Sequence, residues 1–135
     1  MNLPKSKNNR DTSPPNAKAI TKEVGDAAEE RAAVFLGENG LKLLHRNYRT
    51  PGRGGGEIDL VMRDVDGTLV FVEVRKRSSA AYGGAGGSIG FQKQRRIIFA
   101  ARHYLLRLRD LPPCRFDVVL VEQQLQWIKS AFDAS

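Results

Sequence analysis

Apolar and polar residues change rhythm several times along the chain, and each change marks a boundary. From Thr21 the spacing is helical: Val24, Ala28, Ala32 and Phe35 recur three or four residues apart, and Asn39-Gly40 supplies a C-terminal stop. LKLLHRNYR, 41–49, suits a first strand and is followed by the glycine-rich loop TPGRGGG. GGEIDLVMRDVDGTLVFVEVRKR, 55–77, alternates apolar and polar positions with period two on both sides of DVDG, which predicts a β-hairpin. SSAAYGGAGGSIG, 78–90, holds five glycines and predicts a long mobile loop, with Ser88 capping a second helix over about 90–109. Ile97, Ile98, Ala101, Tyr104, Leu105 and Leu108 form the apolar stripe of that helix. RFDVVLVE, 115–122, reads as a fourth strand after Pro112-Pro113, and LQWIKSAF supplies a short fifth. Residues 1–20 offer almost nothing to bury and predict a disordered basic tail, leaving 21–135 as one domain.

The hairpin carries the candidate chemistry. With Val65-Asp66-Gly67 as a three-residue loop and Gly67 left-handed, Asp64 pairs with Thr68. Counting outward sets Asp59 opposite Glu73 and Glu57 opposite Arg75, all on one face, with Ile58, Leu60, Met62, Val70, Val72 and Val74 on the other as core. Val61, Leu69 and Phe71 share the charged face, so it too should be partly covered. Two carboxylates facing each other across strands, about 5 Å apart, repel, and burial sharpens the repulsion. A divalent cation would turn that repulsion into coordination, and oxygen ligands suit magnesium or manganese. The spacing fits equally well with an ordinary Glu57–Arg75 ion pair and a turn that separates Asp59 from Glu73. DVDG lacks the remaining ligands of a calcium loop.

Charge refines the picture. The 22 basic and 15 acidic residues give a net charge of +7, but residues 1–22 hold five cations against Asp11, so only +3 belongs to the remainder. A polyanion partner must therefore be sought in local clusters. Lys93, Arg95 and Arg96 open the second helix, and Arg46, Arg49 and Arg53 lie near the loop before Glu57; each cluster alone also fits a solvated surface. Tyr48, Tyr82 and Phe91 are the candidates for base stacking. Cys114 is the only cysteine, which rules out an intrachain disulfide, and His45 and His103 fit packing better than metal ligation. With no apolar leader or membrane span in view, the expectation is a cytoplasmic protein that does not engage a membrane.

GGEIDLVMR, LVFVEVRKR, KQRR at the second helix start and CRFDVV, together with GDAAEERAAVFLGENG, resemble the YraN-type family of bacterial proteins. That family is similar to the restriction-endonuclease-like, PD-(D/E)XK group, which includes archaeal Holliday-junction resolvases. The resemblance implies an α/β fold with a restriction-endonuclease-like core, in the order helix, three strands, helix, strand around a mixed central sheet. It also implies a Mg2+- or Mn2+-dependent endonuclease that hydrolyses DNA in preference to RNA, with branched or repair intermediates as a substrate class and a homodimer as a possible assembly. Asp59 matches the strand-two Asp, Glu73 the Glu of the E-x-K element, and Glu29 a helix-one Glu; these three would surround the metal, with Glu57 in support.

Arg75 stands where the pattern usually has Lys. Arginine brings charge and bidentate phosphate contacts but stays protonated and cannot be a general base. Arg53, Arg77, Lys93, Arg95 and Arg96 would meet the nucleic acid. Glu29 can be placed independently: seven residues bring it to within about 20° of Leu36, on the flank of the buried stripe, although a first-turn acid favoured by the helix dipole reads the same way. A non-catalytic nucleic-acid-binding module with the same fold is the alternative.

Overall fold

The computed structural model describes residues 17–76 and 89–134, with side chains from Asp26 onward. Helix α1 spans Ala17–Glu38, and strands β1 (Lys42–Arg49), β2 (Glu57–Arg63) and β3 (Leu69–Lys76) follow. Helix α2 (Phe91–Leu105) leads to β4 (Cys114–Val121) and β5 (Leu125–Phe132). The strands form one sheet in the order β1-β2-β3-β4-β5. It is mixed: β3 and β4 run parallel across the α2 connection, and every other neighbour is antiparallel.

Alternation along the strands divides the core between two helices. Leu60, Met62, Val70, Val72, Val119 and Val121 pack with Ala28, Ala32, Ala33 and Leu36 of α1. Val61, Leu69, Phe71 and Phe116 face the other way, against Ile97, Ala100, Ala101 and Tyr104 of α2. The hairpin face that carries Val61, Leu69 and Phe71 is thus covered by α2, and Glu73 meets Lys93 of the same helix. Burying each large side chain completely stabilises the fold by about 1.5–3 kcal/mol before the entropy of ordering is counted.

Helix boundaries differ from the sequence expectation at several points. Helix α1 begins at Ala17, because Ala-Lys-Ala-Ile continues the helix N-terminally past Thr21; the rest of the expected tail lies outside the described residues. At its far end Gly40 is left-handed (φ 98°) and the Leu41 N–H returns 3.0 Å to the Leu36 carbonyl, the arrangement Asn39-Gly40 predicts. The N-cap of α2 is Gly90, with no side-chain cap hydrogen bond, instead of Ser88. Ser88 and the rest of the expected glycine-rich loop up to it, 78–88, lie outside the described residues. The regular helix stops at Leu105, four residues short, and tightens into three-residue-spaced turns that end with the Leu108 N–H on the Leu105 carbonyl. Leu108 still packs on the α2 cluster by this route, so its place in the apolar stripe holds without the helix reaching it.

Candidate functional site

The turn between β2 and β3 has the expected shape: Gly67 has φ 92°, and the Asp64 N–H donates to the Thr68 carbonyl at 2.9 Å. From there the ladder runs Arg63↔Leu69, Met62↔Val70, Val61↔Phe71 and Leu60↔Val72, and then ends. The expected pairings of Asp59 with Glu73 and of Glu57 with Arg75 do not form. At that point the Asp59 carboxylate reaches across and accepts the Val74 N–H at 2.8 Å, so a side chain replaces the backbone in the ladder.

The same break shifts the faces. Ile58 packs in the α2 cluster while Leu60, two residues on, packs in the α1 cluster. Ile58 therefore does not share a face with Leu60 and Met62, because strict alternation lapses at Asp59. Glu57 turns to β1 and lies 3.7 Å from Arg49.

Asp59 and Glu73 nonetheless converge. Both are buried, at 8% and 7% exposure, and the two carboxyl groups are within hydrogen-bonding reach of each other. Glu29 turns inward from α1 and interacts with Asp59 and with the Asn47 side chain. Asn47 is presented by a left-handed kink in β1 (φ 49°), a feature nothing in the alternation of β1 announces. On the α2 side the Lys93 ammonium lies 3.7 Å from Glu73, and the Arg75 charge also acts on Glu73.

The loop between β1 and β2 fixes α2 against this site. Thr50 and Gly56 close it with a backbone bond of 3.0 Å and a second from the Gly56 N–H to Thr50 Oγ1 at 2.7 Å. Gly56 is required there because a Cβ would lie 2.0 Å from the Arg96 carbonyl oxygen, leaving no space between loop and helix. Arg53, Arg95 and Arg96 are exposed around this contact. Arg46 pairs with Glu30 at 2.9 Å, and Arg77 and Tyr82 lie outside the described residues. Tyr48 does not offer a stacking surface: it is buried, its hydroxyl 2.6 Å from His103 Nδ1, whereas Phe91 is exposed.

The model of the uncharacterised protein family UPF0102 matches residues 28–121, from the buried face of α1 to the end of β4. The chain belongs to the UPF0102 family. It is similar to the UPF0102 protein of Verminephrobacter eiseniae (strain EF01-2), 69% identical over 114 residues that make up 83% of this chain and 79% of that one. The UPF0102 protein of Acidovorax sp. (strain JS42) is 66% identical over 116 residues, 85% and 88% of the two chains. That of Paracidovorax citrulli (strain AAC00-1) is 67% identical over 118 residues, 87% of each. The YraN-type resemblance is thereby borne out. The segment matched by UPF0102 contains Glu29, Asp59, Glu73, Arg75 and Lys93 and stops before β5.

Burial and mutual repulsion set the electrostatics of the UPF0102 site. Burial first, then the Asp59 charge, push Glu73 up to about 8 from 4.5, with Lys93 opposing. Glu29 is raised to about 7 by burial and then by Asp59. Asp59 is raised by burial, while the Val74 N–H and Glu73 pull it back. Near neutral pH the cluster therefore retains protons where a cation would otherwise supply the positive charge. Among the described residues, no three His, Cys, Asp or Glu side chains are grouped as a ready-made metal site. Two carboxylates with substrate phosphate and water completing the shell remain the ordinary way to hold magnesium.

One buried acid belongs elsewhere. Asp117 is fully buried, with both oxygens 3.1 Å from Arg115 Nε, Trp127 Nε1 at 2.9 Å and the Ser130 N–H at 3.0 Å. Arg115 continues to Asp64 at 3.0 Å, so this network ties β4 to β5 and to the hairpin turn. Among the described residues no helix is long and apolar enough to cross a membrane.

Proposed function

We propose that this UPF0102 chain is a divalent-metal-dependent endonuclease acting on DNA phosphodiester bonds, on a restriction-endonuclease-like core, with branched or repair intermediates as its substrate class. The observation that carries this reading is the convergence of Asp59 and Glu73 where β2 and β3 cease to pair, with Glu29 on one side and Lys93 on the other. The element order, helix, three strands, helix and two strands, supports it.

Asp59 and Glu73 would hold a Mg2+ or Mn2+ ion, with Glu29 beside them; all three offer oxygen, which suits these hard cations. When bound, such a cation lowers the pKa of a water and neutralises charge on the phosphate. The protein's own groups do the rest. Lys93 offers a positive charge beside Glu73 that can turn to an incoming phosphate, and Arg75 can make bidentate contacts but cannot accept a proton. Glu57, held by Arg49, borders the acids, and Arg53, Arg95 and Arg96 offer charge for the flanking backbone.

The test is calorimetric titration of Mn2+ into the wild-type protein, Asp59→Asn and Glu73→Gln, followed by cleavage of labelled duplex and branched DNA. Binding and cleavage lost in both folded variants support the enzyme. A wild type that binds no cation, with or without DNA, overturns it. Arg75 at the usual lysine position, with no three-acid group among the described residues, favours a second reading as a non-catalytic nucleic-acid-binding module. That module would bind DNA equally well with or without metal and with or without Asp59.

A further inference from the structure

The inward face of α2 is accounted for by Ile97, Ala100, Ala101 and Tyr104, but its outward face is not a solvated helix surface. Phe91 is 71% exposed and Phe99 53% exposed, and Arg95 and Arg102 alternate with them at spacings of four, four and three residues, so the four form one ridge. The Arg95 guanidinium lies 5.5 Å from the centre of the Phe91 ring. Between this ridge and the segment after β5 runs a cleft of about 320 Å³, with Gln94 and Ile98 in its wall and Asp133 at its far side.

We infer that this ridge, on the face of α2 turned away from the Asp59–Glu73 site, is a track for an unpaired nucleic-acid strand, an inference that goes beyond the proposed function by naming a second surface and the form of nucleic acid it receives. Charge selects the occupant. Arg95 and Arg102 outnumber Asp133 in the lining and are interleaved with two exposed rings, which suits a polyanion that also carries planar bases. Ring planes and guanidinium planes are surfaces on which bases stack regardless of sequence, and the arginines meet phosphates. A duplex keeps its bases stacked inside and leaves the two phenylalanines without a partner. Direction follows from the helix: Phe91 to Phe99 spans about 12 Å, room for roughly three nucleotides at a stacked spacing of about 3.4 Å. Lys93 lies about 200° round the helix from Phe91 and meets Glu73 from the inward side, so the track runs along the opposite, outward face of α2.

Fluorescence anisotropy with the full chain tests this. A labelled single-stranded 20-mer and its duplex are titrated at about 0.1 M salt with chelator present, so that binding is read apart from cleavage. The single strand is expected to bind more tightly than the duplex. Phe99→Ala and Phe91→Ala should each weaken single-strand binding about tenfold and leave duplex binding within about twofold. Arg102→Gln should lower the salt dependence by about one ion. Both rings are exposed, so the variants should fold, as thermal melts will verify. Equal binding of the two forms, unaltered single-strand binding by both variants, or equal competition by polyglutamate would overturn the track. Manganese titration separates the two readings: selective loss in Phe99→Ala while wild type binds no cation keeps the track and removes the nuclease, and the converse removes only the track.

Discussion

The Asp59 carboxylate accepts the Val74 backbone N–H at 2.8 Å, where the β2–β3 ladder has just ended. One oxygen is therefore engaged in structure even if the group binds a cation, and Asp59→Ala confounds the two roles. Asparagine keeps an acceptor and removes the charge. Asp59→Asn is expected to be more stable than Asp59→Ala by about 1–3 kcal/mol, the cost of leaving a buried N–H without a partner. Urea denaturation of the two variants measures the difference, and equal midpoints would mean that water replaces the carboxylate at Val74.

Stability should fall as pH rises from about 5 to about 8. Unfolded Glu73 loses its proton near 4.5, whereas the folded group holds it to about 8. Between those values the native state binds more protons, so raising pH favours unfolding, and the loss is complete above the folded pKa. Glu29, raised to about 7, adds in the same direction. The effect is on the order of a few kcal/mol for Glu73, at about 1.4 kcal/mol per pH unit, and is shared with Asp59. Urea midpoints from pH 5 to pH 9 should decline for the wild type and decline less for Glu73→Gln. If the proposed cation site exists, Mn2+ should restore stability most at the alkaline end, where it no longer competes with protons.

Gly56→Ala should open the site from behind. The new methyl would lie 2.0 Å from the Arg96 carbonyl and 3.0 Å from Ala100, and both are parts of a packed helix that cannot yield locally. A loss of about 1–3 kcal/mol is expected, with α2 displaced from the loop. Because Lys93 rides on α2, the Glu73–Lys93 contact should loosen as well, which titration of Glu73 by NMR can follow. An unchanged melting temperature would show that loop and helix separate without cost.

What the sequence could disclose was whatever depends on local period. The turn around Gly67, the five strands of the described residues and the inward turn of Glu29 follow from alternation, turn chemistry and helical angle, and the mixed α/β sheet with two helices among the described residues agrees. The features that shape the site break the period instead. Asn47 adopts φ 49°, β1 carries a register shift between Leu43 and His45, and Asp59 substitutes its side chain for its backbone. Around the last of these the counted places fail: Ile58 changes face, and Glu57 meets Arg49 of β1. Counting residues outward from a turn cannot detect such an irregularity, since it assumes that the ladder continues. The approach of Lys93 to Glu73 is tertiary and depends on where α2 lands, which Gly56 determines through close contact, not spacing.

Asp117 provides a test of structure independent of the candidate site. Its carboxylate is fully buried and accepts from Arg115, Trp127 and the Ser130 N–H, the last presented by a residue at φ 51°. Removing it takes one of the two carboxylates from a partly buried guanidinium whose Nη2 already has no hydrogen-bond partner, and leaves an indole N–H and a backbone N–H without an acceptor. Asp117→Ala should therefore cost about 3–5 kcal/mol, the usual result of breaking a buried ion pair from one side. Trp127 is the only tryptophan, so its fluorescence reports directly on the junction of β4 and β5. The variant should show a red-shifted Trp127 emission and a lower unfolding midpoint, with Mn2+ affinity retained at temperatures where it stays folded. A variant as stable as wild type would mean that Arg115 is sufficiently paired by Asp64 alone, and that the junction is held by the stacked Phe116–Phe132 and edge-to-face Phe35–Trp127 contacts instead.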